Sequence, residues 1–302
     1  MNTPPLAVLS RGGGRILALL SCCALLFTAL PAAAQHDSGA DATGSTRPEN
    51  GYWSDGKPRW FVATRNELGP PYIKPYVSFG YGMPHWIWTG VDVNAIVTMD
   101  MAQAYFGVRG ATPVLDLAFG LRDTWSYTKP LLAPADSYKA ADVRDAPGAS
   151  ARYWAWEAEA VGIIPLPHAA VAADFIAIRT LDVPADRAVY DESYRVIVDD
   201  PLFFNLRAGA VARLMREDAM KVGPVVEYMF GTGRGTTVRL GAAFIIQLTD
   251  HLEASATMTL PVHSPDSLGL VMGTYAAAGL RYRTATGEKR PELPWRGRII
   301  PW

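Results

Sequence analysis

The feature that most constrains this chain is a period of two, sustained over long segments through the last third of the sequence. From Phe203 to Leu214, the residues Phe204, Leu206, Ala208, Ala210, Ala212 and Leu214 alternate with Phe203, Asn205, Arg207, Gly209, Val211 and Arg213. One face is wholly apolar and the other carries the charge. The division recurs from Lys221 to Phe230, with Val222, Val226, Tyr228 and Phe230 opposite Lys221 and Glu227. It recurs from Thr237 to Leu248, from Leu252 to Val262, and from Leu270 to Arg283. Side chains that switch faces at every residue belong to β-strands, and helical spacing would scatter these apolar sets around a cylinder.

Length separates the two ways of burying such strands. A soluble sandwich uses strands of about five or six residues, whereas a tilted strand needs about nine to eleven to cross a bilayer. The segments here run about ten to fourteen residues, the second range. Short connections at 165–168, 215–220 and 249–251 alternate with long ones at 128–150 and 181–202. This is the asymmetry of inner turns and outer loops in a membrane barrel. Earlier strands fit too: Leu115, Leu117, Phe119 and Leu121 oppose Asp116 and Arg122, and Trp154, Trp156, Ala158, Ala160 and Ile164 oppose Tyr153, Glu157 and Glu159. From Trp88 to Asp100, Val91, Val93, Ala95, Val97 and Met99 back onto Asp92, Asn94 and Thr98. The phase changes near Pro113, so 104–127 reads either as one bulged strand, with Pro75–Tyr81 opening the sheet, or as two strands without it. Both counts give about ten strands, and eight to twelve is the compatible range.

The phase predicts which groups face inward. A Lys or Arg on a lipid face costs about 2–4 kcal/mol at the bilayer midplane. Arg109, Arg207, Arg213, Arg239 and Lys221 are therefore expected in the lumen, beside Asp92, Asp116, Glu157, Glu159, Glu227 and Glu253. Similar numbers of opposite charges would pair and fill the interior. The functional alternative is a constriction built from Glu157, Glu159, Arg207 and Arg239 that selects solutes by charge. Trp125, Tyr127, Trp154, Trp156, Phe204, Tyr228 and Phe230 share the lipid-facing phase at the outer edge, where an aromatic girdle is expected. Trp86 and Trp88 share the phase of Asp92 and break that rule.

The N-terminus reads as an export leader over 1–34, with Arg11 and Arg15, an apolar run from Ile16 to Leu30, and Ala32-Ala33-Ala34 before Gln35. The run is shorter than the roughly twenty residues of a spanning helix. Cys22 and Cys23 both lie in that leader, so a processed chain would carry no thiol for disulfides or metal. Residues 35–58 read as a polar tail, 59–284 as the barrel domain and 285–302 as a periplasmic tail. With 28 basic and 29 acidic residues and no basic block, nucleic acid is not an expected partner.

Over Pro75 to Thr284 the chain thus resembles the general class of bacterial outer-membrane β-barrel proteins, by pattern and not by any motif. The resemblance implies an all-β, antiparallel up-and-down transmembrane barrel in the outer membrane. Its implied partners are outer-membrane lipid, the barrel assembly machinery and small solutes; no cofactor or metal is implied. The function expected is a small passive channel or a structural barrel with a charge-paired lumen. Two other readings stay open. One is a soluble periplasmic β-sandwich or lipocalin-like binding module. The other is a barrel hydrolase whose His85, His263 and Asp266 meet on outer loops, although no serine motif accompanies them. Gly231-Thr232-Gly233-Arg234-Gly235 lacks the ending of a phosphate loop and reads as a hairpin turn.

Overall fold

The computed structural model describes residues 58–286, apart from Pro71, Trp86, Ala149, Pro167, His168, Asp200, 215–219 and Asp250. The leader, most of the two tails, His168 and Trp86 lie outside the described residues.

Twelve antiparallel strands close into one barrel. In chain order they are β1 (Arg59–Gly69), β2 (Tyr72–Met83), β3 (Ile87–Val97), β4 (Met101–Ala111), β5 (Leu115–Pro130), β6 (Ser150–Leu166) and β7 (Ala169–Leu181). After a small hairpin, β8 (Val189–Asp191) and β9 (Val196–Val198), come β10 (Leu202–Leu214), β11 (Met220–Phe230), β12 (Thr237–Gln247), β13 (Leu252–His263) and β14 (Tyr275–Ala285). The barrel closes where β14 pairs with β1, from Ala63 opposite Ala285 to Leu68 opposite Leu280. No barrel strand is left with an open edge, which is the condition for placing a sheet in hydrocarbon.

The expected ten strands become twelve because both readings of the early sequence hold in part. A turn at 112–114 separates β4 from β5, and Pro75–Tyr81 lies within β2. The remaining strand, β1, is hard to read because its phases are mixed: Phe61 and Ala63 point inward while Thr64 and Asn66 point outward. A second correction concerns the last strand. Its expected beginning is a short helix, Gly269–Gly273, and β14 starts at Tyr275. Met272 is buried beneath the loops, while Leu270 and Val271 are exposed.

At one end the connections between strands are all short in sequence, 84–86, 112–114, 167–168, 215–219 and 248–251. At the other end 70–71 and 98–100 are also short, but 131–149, 182–201, 231–236 and 264–274 are longer. These loops are sewn into a cap. Leu132 and Ala188 exchange backbone hydrogen bonds at 2.8 and 3.0 Å, and the Tyr190 hydroxyl donates to the Met272 carbonyl at 2.7 Å. Arg234 reaches Asp266 at 2.9 Å, Asp199 at 2.7 Å and the Ala135 carbonyl at 2.9 Å, with its guanidinium over the Tyr138 ring. The expected hairpin turn at Gly231–Gly235 therefore carries the cation that ties three loops together. Its glycines 231, 233 and 235 have φ of 79, 80 and 109°, a region that favours glycine.

The two surfaces differ sharply. Outward residues such as Phe79, Val93, Phe106, Leu240 and Met258 are exposed, while inward Asp92, Arg109, Arg207, Glu227 and Arg281 are buried. Among the described outward positions of the barrel strands, the charged side chains are Asp123, Arg152 and Arg179, all toward the loop end. Asp123 and Arg152 pair there at 3.1 Å. A sandwich, whose greasy faces bury one another, has the opposite distribution.

Candidate functional site

Loop 182–201 does not simply stand above the rim. The β8–β9 hairpin carries the turn Glu192–Arg195 into the lumen, where it touches several walls. Ser193 Oγ donates to Gln103 Oε1 on β4 at 2.9 Å. Tyr194 packs edge-on against Phe203 of β10 and lies beneath the Arg122 guanidinium of β5. From β12, Arg239 Nη2 donates to the Arg195 carbonyl at 2.7 Å. Asp191, fully buried, anchors the turn by accepting from the Tyr153 hydroxyl of β6 at 2.9 Å and from the Ser193 and Tyr194 amides at 2.9 and 3.2 Å. Arg195 has a φ of 53°, a conformation uncommon for a bulky residue and kept only where surrounding contacts enforce it.

Two cavities lie in the lumen, and this insertion lines one of them. One, about 160 Å³, lies under the turn and against the loop-end halves of β1 to β4, lined among others by Glu67, Tyr72, Lys74, Tyr105, Arg122 and Tyr194. The second, about 120 Å³, belongs to the short-turn end and is lined by Arg65, Ser78, His85, Asp116, Arg281 and Arg283 among others. Tyr76 and Arg109 line both. They form a septum: Arg109 is held by Asp92 at 3.0 Å, Asp116 at 2.9 Å and Glu159 at 3.3 Å, while the Arg65 guanidinium covers the Tyr76 ring at 3.7 Å. The opposite side of the lumen is packed. Glu227 accepts from Arg207 Nε, from Arg239 Nη1 at 2.7 Å and from Asn205 Nδ2 at 3.1 Å. Arg281, which lines the second cavity, ties Glu67, which lines the first, at 2.9 Å to Glu253 at 2.8 Å.

Neither a protein-family model nor any curated protein matches the sequence. Solved structures give low-identity matches. A KdgM porin is 8% identical at a TM-score of 0.37, over 74% of this chain and 98% of that one. The NanC porin is 7% identical at 0.33, over 75% and 98%. OmpT, an outer membrane protein of Vibrio cholerae, is 8% identical at 0.33, over 78% and 100%. Scores this low carry no argument about this chain. What decides the class is a ladder closed on itself, with an oily outer surface and an ionic interior. The chain has the fold of a bacterial outer-membrane β-barrel.

In this barrel all eight expected lumen residues, Asp92, Arg109, Asp116, Glu157, Glu159, Arg207, Glu227 and Arg239, lie on the inner face, but in separate groups. Arg109 gathers Asp92, Asp116 and Glu159; Arg207 and Arg239 share Glu227; Glu157 faces Arg122 at 3.4 Å. Of the residues expected to form a charge-selecting constriction, Glu157, Glu159 and Arg207 line the cavity under the turn, while Arg239 pairs with Glu227 at 2.7 Å. Among the residues that sequence reasoning missed are Arg65, Glu67, Lys74, Tyr76 and Glu192–Arg195. The signal was available in the turn: Val189-Tyr190 and Val196-Ile197-Val198 flank a polar stretch, an apolar frame that marks a hairpin more than a solvated loop.

The seven expected girdle residues sit on the outer face near the loop end, and Phe204 stacks on Phe230 at 5.0 Å while Trp156 stacks on Phe119 at 5.4 Å. A second outward cluster, Trp60 with Phe79 and Tyr81, lies at the short-turn end. Trp88 points inward, as its phase requires, and meets Phe61 edge-on. Arg213 follows the inner phase by register, opposite Lys221; its side chain lies outside the described residues.

The hydrolytic grouping does not assemble. His85 is at the short-turn end, with Nε2 3.2 Å from the Thr284 carbonyl, while His263 and Asp266 are at the loop end and Asp266 is bound to Arg234. Burial, then the charge of Arg283, holds the His85 imidazole down at about 3, so it is neutral across the physiological range.

Proposed function

We propose that the chain is exported through a leader over 1–34, inserts in the bacterial outer membrane as the barrel 59–284, and serves as a narrow passive channel. Its substrates are small polar solutes. One observation carries this reading: the interior is divided but not filled, with two cavities whose linings share Tyr76 and Arg109. A water occupies about 30 Å³ of liquid, so both spaces are large enough to hold water. The turns over β1 to β4 are the short ones, 70–71 and 98–100, which leaves that sector less roofed than the rest. The Glu227 and Glu253 groups favour a second role within the same reading: a charge-paired half of the lumen that props the open half. The outward aromatics at both ends would anchor the barrel at the two interfaces.

Glu192 gives the reading a pH signature. Burial, partly offset by Lys129 and Arg195 and reinforced by Asp100 and Asp191, raises its carboxyl to about 7. Its Oε1 makes no hydrogen bond. Because the inserted state holds the proton more tightly than a solvated carboxyl does, its contribution is complete below the ordinary carboxyl range and is lost as pH rises through 7. Planar-bilayer recordings of the refolded protein are expected to show small, stepwise currents that increase between about pH 6 and about pH 8. Glu192→Gln should remove that step. A protein that carries no current at either pH is not a channel.

A further inference from the structure

We infer that the cavity beneath the Glu192–Arg195 turn is a binding site for a small organic anion with an apolar, ring-sized body, of the class of aromatic monocarboxylates. The inference rests on the channel reading only for the route by which the ligand arrives.

The charge of the cavity is uneven in a specific way. Four carboxylates line it, and each is already engaged: Glu67 by Arg281 at 2.9 Å, Glu159 by Arg109 at 3.3 Å, Glu157 by Arg122 at 3.4 Å and Glu192 by Arg195 at 3.9 Å. One cation is not used up. Among the described residues no carboxylate lies within 4.0 Å of the Lys74 ammonium, whose nearest aromatic contact is the Tyr76 ring at 5.0 Å. Arg122, with only 5% of its side chain exposed, faces Glu157 at 3.4 Å and Asp191 at 3.8 Å, but its Nε and Nη2 make no hydrogen bond. Buried donors without acceptors cost free energy, and a carboxylate supplies the acceptors they lack.

Size and lining describe the rest of the ligand. A volume of about 160 Å³ is close to the roughly 150 Å³ of an engineered apolar cavity that takes up benzene. Tyr72, Tyr105 and Tyr275, with Ile176 and Met101, offer ring faces and aliphatic surface around the cations. Tyrosine-lined spaces also suit organic cations, but Lys74 and Arg122 oppose an ammonium here. Glu192, protonated below about 7, removes one repelling charge under mildly acidic conditions.

The test is calorimetry on the refolded full barrel in detergent with benzoate, benzyl alcohol and benzylamine, alongside bilayer recordings with benzoate added. Benzoate should bind about tenfold more tightly than benzyl alcohol, the worth of a charge-assisted hydrogen bond. Lys74→Gln should erase that margin, and Lys74→Arg should keep most of it. Equal binding of benzylamine, or a Lys74→Gln barrel that binds benzoate as before, overturns the proposal. Current without benzoate binding defeats the site and leaves the channel. Benzoate binding without current defeats the channel and leaves the site.

Discussion

Glu227→Ala is expected to destabilise the barrel by about 3–5 kcal/mol, the cost of removing one partner from a buried ion pair. Glu227 is fully buried on β11 and its two oxygens take hydrogen bonds from Arg207 of β10 and Arg239 of β12. Without it, two guanidinium groups would face one another in a part of the lumen that water reaches poorly. Thr259 on β13 loses an acceptor at 3.4 Å as well. Urea unfolding of the barrel in lipid vesicles reads the effect as a lowered midpoint. Pairing Glu227→Ala with Arg207→Met should recover part of the loss, since the uncompensated charge is then smaller. A single variant as stable as the parent would mean that the group is hydrated and the packed half of the lumen is not packed.

The second large effect concerns the inserted turn. Replacing Glu192–Arg195 by Asn-Gly keeps the β8–β9 pairing, because a two-residue connection of that type suits a hairpin, and it removes the contacts to Gln103, Arg122 and Arg239. Single-channel conductance should rise several-fold and its pH step should vanish together with Glu192. The barrel itself should remain, since the ladders of all twelve strands are untouched. Unchanged conductance would place the narrowest point at Tyr76 and Arg109 alone, and Arg109→Ala would then be the variant that opens it.

The strand pattern was legible because membrane barrels separate chemistry by phase, and every described charged side chain of β10 to β13 lies on the inner phase. Inner-face assignments followed for the same reason: an arginine with a lipid-facing phase would be too costly, so Arg109, Arg207 and Arg239 had only one place to go. β1 was less legible, since Phe61 and Ala63 face inward where a polar pair is expected. They pack with Trp88 and Ala285 near the closing seam, a requirement of β14 that no local window contains. The start of β14 was misread because Leu270 and Met272 continue its alternation. In the structure Gly269 turns with a φ of 65° and Met272 joins Leu132, Val143 and Ile197 under the loops. Partnering inside the lumen was not legible at all. Whether Arg109 meets Asp92 or Glu227 depends on which strands are neighbours and how far they are staggered, and phase carries neither quantity.

The apolar phase is assigned to hydrocarbon and the ionic phase to the enclosed interior. Single cysteines at outward Leu240, Val226 and Phe119 and at inward Ala243, Val225 and Ala118, each carrying an environment-sensitive fluorophore, test it in vesicles containing lipids brominated on their acyl chains. The expected result is strong quenching at the first three positions and little at the neighbouring three. Equal quenching across each pair, or stronger quenching at the inward positions, would contradict it.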